Sequence, residues 1–264
     1  MEKEKIYKIK ELDFAKDYLL IQNLLEKISI NQVIKETKGK KYLNLSSEQK
    51  QQLFNIYRKN YREKGFEKEN LVKQAIDFNI KCLKEIVTKS EDFKIIVLVD
   101  EHDKIVCANV ASILKDSFGN KGLISMEYVE NEARNTGKFI DNGKMYQGYL
   151  VESVYRKRND WYKKNKVRYS FVKLSKNSYD EIIQYLTRGF LSQNIDNNTL
   201  TLVRDYNREI PVPTLVNISK LYFECYTKDF PSKTIDFSEY KGLDNIEKAL
   251  LGKALNLREI NIKR

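Results

Sequence analysis

Histidine is nearly absent from this chain, since His102 is the only one among 264 residues. It lies in the charged stretch Asp100–Asp103, which is typical of an exposed turn between two apolar runs. A hydrolase of the Ser-His-Asp or Cys-His type would have to use this one imidazole, so that class of enzyme is nearly excluded. Zinc sites of the usual kind also lack ligands, because the cysteines are not clustered either.

Cysteine is scarce as well, and Cys82, Cys107 and Cys225 form no Cys-x-x-Cys pair. An odd, scattered set of this kind indicates free thiols in a reducing compartment. No apolar run approaches the ~20 residues that span a bilayer. Residues 1–10 alternate charged and apolar side chains, unlike a secretory signal. The sequence therefore predicts a cytoplasmic protein without a membrane span, although an effector secreted by another route would share these features.

Basic residues exceed acidic ones and give a net charge of +11. Such an excess favours anionic partners, but the charge is mostly lysine mixed with glutamate, which is also typical of a solvated surface. In residues 149–169, tyrosines alternate with Arg156, Lys157, Arg158, Lys163 and Lys164. Aromatic rings and cations on one face could bind nucleic acid. A basic, non-enzymatic module for nucleic acid or an acidic partner is therefore the alternative to an enzyme, and it requires that these residues share a face.

The apolar pattern predicts a mixed order of elements after a helical start. Apolar residues recur at helical spacing over 11–36, and Ser46 or Ser47 can cap the helix that follows. β-Branched runs separated by a polar turn then predict a hairpin over 93–99 and 105–114. The remaining predictions are helices over 49–64, 71–87, 145–166, 179–188, 215–226 and 243–255, and strands over 123–129, 168–174 and 199–203.

Two local motifs could serve chemistry. The first, residues 129–138, follows a predicted strand and precedes a predicted helix. A loop in that position can direct backbone N–H groups and the positive end of the helix dipole at a phosphate. Gly137 would allow close backbone approach, and Arg134 and Lys138 would add charge-assisted hydrogen bonds. The second motif, residues 177–190, contains a short amphipathic helix with Tyr185 and ends in Gly189-Phe190.

Together the two motifs resemble the GNAT acyltransferase superfamily. The pyrophosphate loop of that family reads roughly Val-x-Pro-Glu-x-Arg-Gly-x-Gly-x-Gly/Ala, and the late helix often ends in Tyr-x-x-x-Gly-Phe. Four residues of the first motif and three of the second are in register with these patterns, about fifty residues apart: Val129, Glu132, Arg134, Gly137, Tyr185, Gly189 and Phe190. Asn131, Asn135 and Phe139 depart from the loop pattern, and Phe139 stands where the family has a small residue.

The resemblance implies an α/β (α+β) fold with a mixed, mostly antiparallel sheet flanked by helices. We expect a helical N-terminal arm over 1–44, the GNAT-like domain over 45–206 and a mostly helical C-terminal extension over 207–264. It also implies an N-acyltransferase that moves an acyl group from acetyl-coenzyme A, or another acyl-coenzyme A, to an amine. A related option is acyl transfer to a small metabolite in a fold like that of the acyl-homoserine-lactone synthases.

Site residues follow from the same resemblance. Tyr185 lies where the family places its general acid, and Glu127, on the strand before the loop, is the expected base, directly or through a water. Alternation along this strand places Glu127 on one face with Ser125 and Val129. The expected coenzyme-binding residues are Val129, Arg134, Asn135, Thr136, Gly137, Lys138, Phe139 and Asn177. The departure at Phe139 also motivates a third hypothesis, a GNAT-like fold without activity. No metal ligand is expected.

Overall fold

The computed structural model describes residues 5–64, 70–117, 119–175, 178–195, 199–227 and 236–254. The chain divides into two compact units, Met1–Val167 and Arg168–Arg264. The predicted domain limits at 44/45 and 206/207 stay predictions. One expected coenzyme-binding residue, Asn177, lies outside the described residues.

In the first unit the described strands form one sheet in the order β6-β5-β1-β2-β3-β4. Neighbouring strands are antiparallel, except that β1 and β5 run parallel. This confirms the predicted fold class of a mixed, mostly antiparallel sheet with helices packed on it. The strands are β1 Ile6–Leu12, β2 Asp92–Val99, β3 Ile105–Asp116, β4 Gly119–Val129, β5 Thr136–Asp141 and β6 Lys144–Tyr149.

The middle of this sheet is apolar on both faces, because Ile95–Val99 and Ile105–Val110 are buried without a break. Helices α1 (Tyr18–Lys38) and α3 (Leu71–Lys89) cover one face, on which Val97, Ala108 and Met126 lie. Helix α4 (Leu150–Lys164) covers the other, which we call the α4 face. Burial on both sides of the central strands makes the two helical layers necessary.

Two helices of the first unit begin with a side-chain cap. Before α2 (Ser47–Lys64), the Gln49 N–H donates to Ser46 Oγ at 3.2 Å and the Ser46 N–H donates to Gln49 Oε1 at 2.8 Å. This reciprocal arrangement is a capping box, which confirms the predicted helix start. Asn70 accepts from the N–H groups of the second and third residues of α3. Helices α1, α2 and α3 share a small apolar cluster that contains Ile30, Phe54 and Val72.

Residues 144–149 form a strand and not the predicted start of a helix. Asn142 and Gly143 have φ of 50° and 76° and form a two-residue turn in which Asp141 pairs with Lys144. Asn-Gly at positive φ is a strong hairpin signal that the helical pattern obscured. The β5–β6 hairpin therefore lies between the 129–138 motif and α4, which begins at Leu150 instead of residue 145.

Strand β1 also differs from the prediction, because the N-terminal arm over 1–44 is expected to be helical. The strand mixes apolar and charged residues over Ile6–Leu12, and it pairs with β2 and β5 inside the sheet. Tyr7 and Leu12 are buried and join the two core clusters on opposite faces. A segment this short is ambiguous until a partner strand is known.

The second unit contains a three-stranded antiparallel arrangement in the order β7-β9-β8. The predicted strand β7 and helices α5, α6 and α7 are confirmed, while β8 was not predicted. The elements are β7 Tyr169–Ser175, α5 Tyr179–Thr187, β8 Leu191–Ile195, β9 Thr199–Asp205, α6 Val212–Thr227 and α7 Asn245–Ala254. Arg208, which follows β9, forms ion pairs with Asp244 and Glu247 at the start of α7, each at 2.8 Å.

Gly122 in β4 allows the close approach of α4. A Cβ at this position would lie 2.6 Å from the ring of Tyr162, a fully buried side chain whose hydroxyl donates to the Leu123 carbonyl at 3.0 Å. We expect Gly122→Ala to lower the free energy of unfolding by about 2 kcal/mol, because overpacked cores relax poorly. Denaturant unfolding measures it. Gly148→Ala is the matched control, since nothing lies within 4 Å of its added carbon, and equal losses in the two variants would contradict the prediction.

Candidate functional site

Strand β4 contains a bulge just before the expected base. Val110 pairs with Met126 and Ala111 pairs with Ile124, so Ser125 has no opposite residue on β3. A bulge of this kind bends a strand locally and redirects the side chains that follow. Beyond it Glu127 pairs with Asn109 and Val129 pairs with Cys107, and both therefore lie on the α4 face. Glu127 is half-buried there.

A short turn connects β4 to the start of α4. The chain leaves β4 into a 3₁₀ helix over Asn131–Arg134. The Asn135 carbonyl then accepts a hydrogen bond from the Leu150 N–H at 3.1 Å. The end of the turn and the first residue of α4 are thus adjacent, although the whole β5–β6 hairpin separates them in sequence. The strand–turn–helix connection that the first motif predicted is present across this insertion.

The expected coenzyme-binding residues fall into two groups. Val129, Arg134, Asn135 and Thr136 lie at the end of β4, in the turn and at the start of β5, where Thr136 pairs with Tyr149 just before α4. Gly137, Lys138 and Phe139 lie in β5 and pair with β6, and Lys138 and Phe139 also pair with β1. The first group is brought to the helix start, whereas the second belongs to the sheet.

The backbone of Gly137–Phe139 does not fit the expected phosphate contact, because it is engaged in the strand ladders. The ring of Phe139 is 2% exposed and stacks on Tyr146 with centroids 5.6 Å apart. A Cβ on Gly137 would lie 3.2 Å from the Leu150 side chain. The missing side chain at Gly137 therefore lets β5 pack against α4, a role distinct from the close phosphate approach that the motif suggested.

The first turn of α4 offers the N–H groups that β5 does not. Tyr149 occupies its N-cap position and makes no side-chain cap hydrogen bond. The Leu150 N–H is used by Asn135, while the next two N–H groups of a helix have no partner within the helix. Glu152 in this turn opposes an anion and Arg134 in the adjacent 3₁₀ helix favours one.

A buried polar network fixes the point where β4 ends. Glu130 accepts from Lys27 at 2.8 Å, from Lys104 at 2.7 Å and from the Tyr128 hydroxyl at 2.7 Å. Lys27 also donates to the Ile105 carbonyl at 2.8 Å, and its side chain is only 6% exposed. An ammonium and a carboxylate this far from water stabilise the fold only when they are paired and hydrogen-bonded. The network therefore holds the first residue after β4 to α1 and to the start of β3.

The same network shifts four pKa values, and that of Lys104 is raised because its bonds to Glu130 outweigh burial. Burial alone would raise the pKa of Glu130, but hydrogen bonds from Lys104 and Lys27 outweigh burial and lower it below its ordinary 4.5. Burial lowers the pKa of Lys27 in spite of its bond to Glu130, and burial raises the pKa of Tyr128 far above its ordinary value. Glu130 is thus ionised at neutral pH, and Tyr128 is a hydrogen-bond donor at any physiological pH.

In the second unit, Tyr185 lies on the inner side of α5 together with Ile182, and both are fully buried. Its ring meets Phe190 edge-on with centroids 4.9 Å apart. Gly189 has φ of 82° and ends the helix, and the Phe190 N–H donates to the Tyr185 carbonyl at 3.1 Å. The Tyr-x-x-x-Gly-Phe spacing therefore folds as a helix end with a packed aromatic pair, a geometry that requires glycine at the left-handed position.

Sequence reasoning missed two polar residues on the α4 face. Asn109 and Arg158 are both 0% exposed. Their signals were present, because Asn109 interrupts the apolar run of β3 and Arg158 falls at a core-facing position of an amphipathic helix. A polar residue at a core position is more informative than an exposed one. No metal site was expected, and within the described ranges no group of three or more His, Cys, Asp or Glu is arranged to hold a metal ion.

No protein-family model and no curated protein sequence matches the chain. Among solved structures it is similar to PaiA N-acetyltransferase from Thermoplasma acidophilum in complex with coenzyme A, with TM-score 0.42, 12% identity and coverage of 76% of this chain and 99% of the other. It is also similar to a probable acetyltransferase from Staphylococcus epidermidis, with TM-score 0.44, 12% identity and coverage of 76% and 99%.

An acetyltransferase from Streptococcus agalactiae is similar to the same extent, with TM-score 0.42, 11% identity and coverage of 75% of this chain and 98% of the other.

None of the helices within the described ranges combines the length and the apolar character that crossing a bilayer requires.

The Glu130 network predicts a pH-dependent effect of mutation. At neutral pH, we expect Glu130→Gln to lower the free energy of unfolding by about 3 kcal/mol, since the paired carboxylate is replaced by a neutral amide beside buried Lys27. Because folding lowers the pKa of Glu130, its contribution exists above the unfolded value near 4.5 and is lost as pH falls through the lower folded value.

Denaturant titrations of both proteins between pH 7 and pH 3 measure this difference, which must shrink in the acidic range. Glu101→Gln serves as the control, because Glu101 is half-exposed in the 100–103 turn. A difference that stays constant down to the lowest pH would show that charge at Glu130 does not stabilise the fold.

Proposed function

We propose that this chain is an N-acyltransferase that transfers an acetyl or other acyl group from acyl-coenzyme A to an amine. One observation supports the proposal above the others. Glu127 lies on a bulged strand that leads directly, through the Asn135–Leu150 hydrogen bond, to the N-terminus of α4. Strand β4 and the turn after it therefore connect a carboxylate that can accept a proton to a helix N-terminus that can hold a phosphate.

The start of α4 fits the diphosphate of a coenzyme better than β5 does. Arg134 would supply positive charge, the first turn of α4 would supply N–H groups, and Val129, Asn135 and Thr136 would line the approach. Lys138 would add charge through its side chain only. Gly137 and Phe139 would support this surface from the sheet and the core, and Asn177 stays a prediction. When bound, acyl-coenzyme A supplies a thioester, which is an acyl group already activated for transfer.

The residues of this chain then need only position the two substrates and transfer protons. Glu127 would accept the proton of the attacking amine, directly or through a water. Tyr185 is proposed as the general acid on the strength of the sequence resemblance, since a phenol with an ordinary pKa of about 10 can protonate a departing thiolate. Most of the rate would come from positioning.

The alternative of a nucleic-acid module is not favoured by the placement of residues 149–169. Tyr155, Arg158 and Tyr162 are buried. Lys157 donates to Asp141 at 2.7 Å and is only 18% exposed. The basic and aromatic residues of this segment therefore do not share one solvent-exposed face, which binding to a phosphate backbone would require. The third hypothesis, an inactive GNAT-like fold, is decided by the next two measurements.

Binding is tested by thermal unfolding with and without acetyl-coenzyme A. We expect the midpoint to rise with ligand concentration, because a ligand that binds only the native state stabilises it, by about 2.7 kcal/mol at a hundredfold excess over Kd. Arg134→Ala should reduce this rise by at least half. Arg156→Ala is the matched control, since Arg156 is exposed on α4. An unchanged midpoint at millimolar acetyl-coenzyme A would refute the proposed function.

Catalysis is tested with Glu127→Gln and Tyr185→Phe in an assay of thiol release across a panel of amines. Each variant should lose about 100-fold or more in kcat while still showing the acetyl-coenzyme A midpoint rise, because proton transfer and not binding is removed. Glu101→Gln should behave as the unmodified chain. Full turnover in Tyr185→Phe would remove that residue from the mechanism, and full turnover in Glu127→Gln would remove the base.

A further inference from the structure

Arg158 is a buried guanidinium that forms no ion pair with any described residue. Its Nε and Nη2 donate to Asn159 Oδ1 at 3.2 and 3.0 Å, and its guanidinium lies 5.1 Å from the centre of the Tyr155 ring. Nη1 is buried and has no hydrogen-bond partner within the described residues. A neutral amide and an aromatic ring do not neutralise a cation, and a buried uncompensated charge costs several kcal/mol in a protein interior.

The helix directs Arg158 at the middle of the sheet. Successive residues of a helix turn by about 100°, which places position 158 at the centre of the buried sector of α4. Val154 and Trp161 lie to one side of this direction, and Val151 and Tyr162 lie to the other. All four are buried with Arg158. The side chain therefore extends into the layer between α4 and the sheet, and not toward either rim.

Contacts at both ends of α4 show which part of the sheet lies opposite. Near its start, Leu150 and Val154 pack in the cluster that contains Cys107. Near its end, the Tyr162 hydroxyl donates to the Leu123 carbonyl at 3.0 Å and lies 3.4 Å from the Ser112 carbonyl. Arg158 lies between these turns, so the portion of β3 opposite it lies between Cys107 and Ser112.

Asn109 is the polar residue on the α4 face in that portion of β3. Its side chain is 0% exposed, and neither Nδ2 nor Oδ1 has a hydrogen-bond partner within the described part of the chain. Directly opposite Asn109 on β4 stands Glu127. An amide buried in this way costs about 1–3 kcal/mol unless something satisfies it, so two costly polar groups, Asn109 and Arg158, meet the face on which Glu127 lies.

We propose that Arg158 and Asn109 are positioning residues for Glu127. In this arrangement Arg158 Nη1 and Asn109 Nδ2 donate to one ordered water, and that water donates to the Glu127 carboxylate. A water in a buried polar site makes about three such hydrogen bonds. The cation favours the ionised carboxylate, and the hydrogen bond from the water that Arg158 and Asn109 hold in place fixes its rotamer. The inference rests on the proposed function, because it gives Glu127 the ionised state and orientation that a base requires.

A thermodynamic double-mutant cycle tests the coupling without any enzyme assay. Arg158→Met in the unmodified chain should raise the equilibrium constant for unfolding strongly, because Glu127 loses its compensating charge. In the Glu127→Gln background the same substitution should have an effect at least tenfold smaller. The control cycle pairs Arg158→Met with Glu152→Gln, an exposed carboxylate on the same helix, and it should be additive within experimental error.

A second cycle covers the case in which Arg158→Met does not fold in the unmodified chain. Asn109→Leu combined with Glu127→Gln should also be non-additive, and Asn109→Leu should destabilise the unmodified chain. If the amide had no partner, leucine in its place would stabilise the core instead. Additivity in both cycles, or a stabilising Asn109→Leu, would overturn the proposal.

Turnover separates positioning from a merely structural role. Arg158→Met should lower kcat at least tenfold with little change in KM for acetyl-coenzyme A, and Arg158→Lys should restore most of kcat because it keeps the positive charge. Loss of kcat in both variants alike would overturn the positioning role. If the unmodified chain acylates no amine, the proposed function fails by itself, while the two unfolding cycles still decide whether Arg158 and Asn109 are coupled to Glu127.

Discussion

The hairpin of β2 and β3 is apolar on both faces, and the first unit is organised around the need to cover it twice. Residues Ile95–Val99 and Ile105–Val110 are almost completely removed from water. An isolated hairpin of this composition would expose both faces, so α1 and α3 must pack on one side and α4 on the other. The turn between β4 and α4 follows from that requirement, because the chain must pass from the sheet to the helical layer on the α4 face. Gly122 and Gly137 permit the close packing that results.

Polar side chains within such a layer are expensive, and the two places where they occur differ in kind. The Lys27–Glu130–Tyr128 group is fully hydrogen-bonded, and it holds the end of β4 in position. Arg158 and Asn109 are buried as deeply, but part of their hydrogen-bonding capacity has no partner within the described residues. Stability alone would favour apolar residues at positions 109 and 158. Asn109 is paired with Glu127, and our proposal accounts for both costly residues by coupling them to that carboxylate.

The β5–β6 hairpin changes how the first motif must be interpreted. A loop that runs straight from a strand into a helix can offer several consecutive N–H groups to a phosphate, whereas residues 137–139 use theirs in the sheet. The hydrogen bond from Leu150 to Asn135 keeps the turn beside the helix start. The phosphate-binding role passes in our proposal from the loop backbone to the first turn of α4 and the side chain of Arg134, and Phe139 becomes a core residue.

The family resemblance predicted the fold class, and local patterns were sufficient for the cap at the start of α2, for the β-branched runs of β2 and β3 and for the helical spacing of α3. They failed at β1, because so short a segment is ambiguous without its partner strands, and at β6, because the helical pattern obscured the Asn-Gly turn before it. They also placed Gly137 and Phe139 in a binding loop, since spacing along a motif cannot reveal which backbone groups a neighbouring strand will engage. Tertiary structure alone decided that Glu127 faces Asn109 and that Arg158 lies over the same face, because register and helix orientation bring together residues that are far apart in sequence.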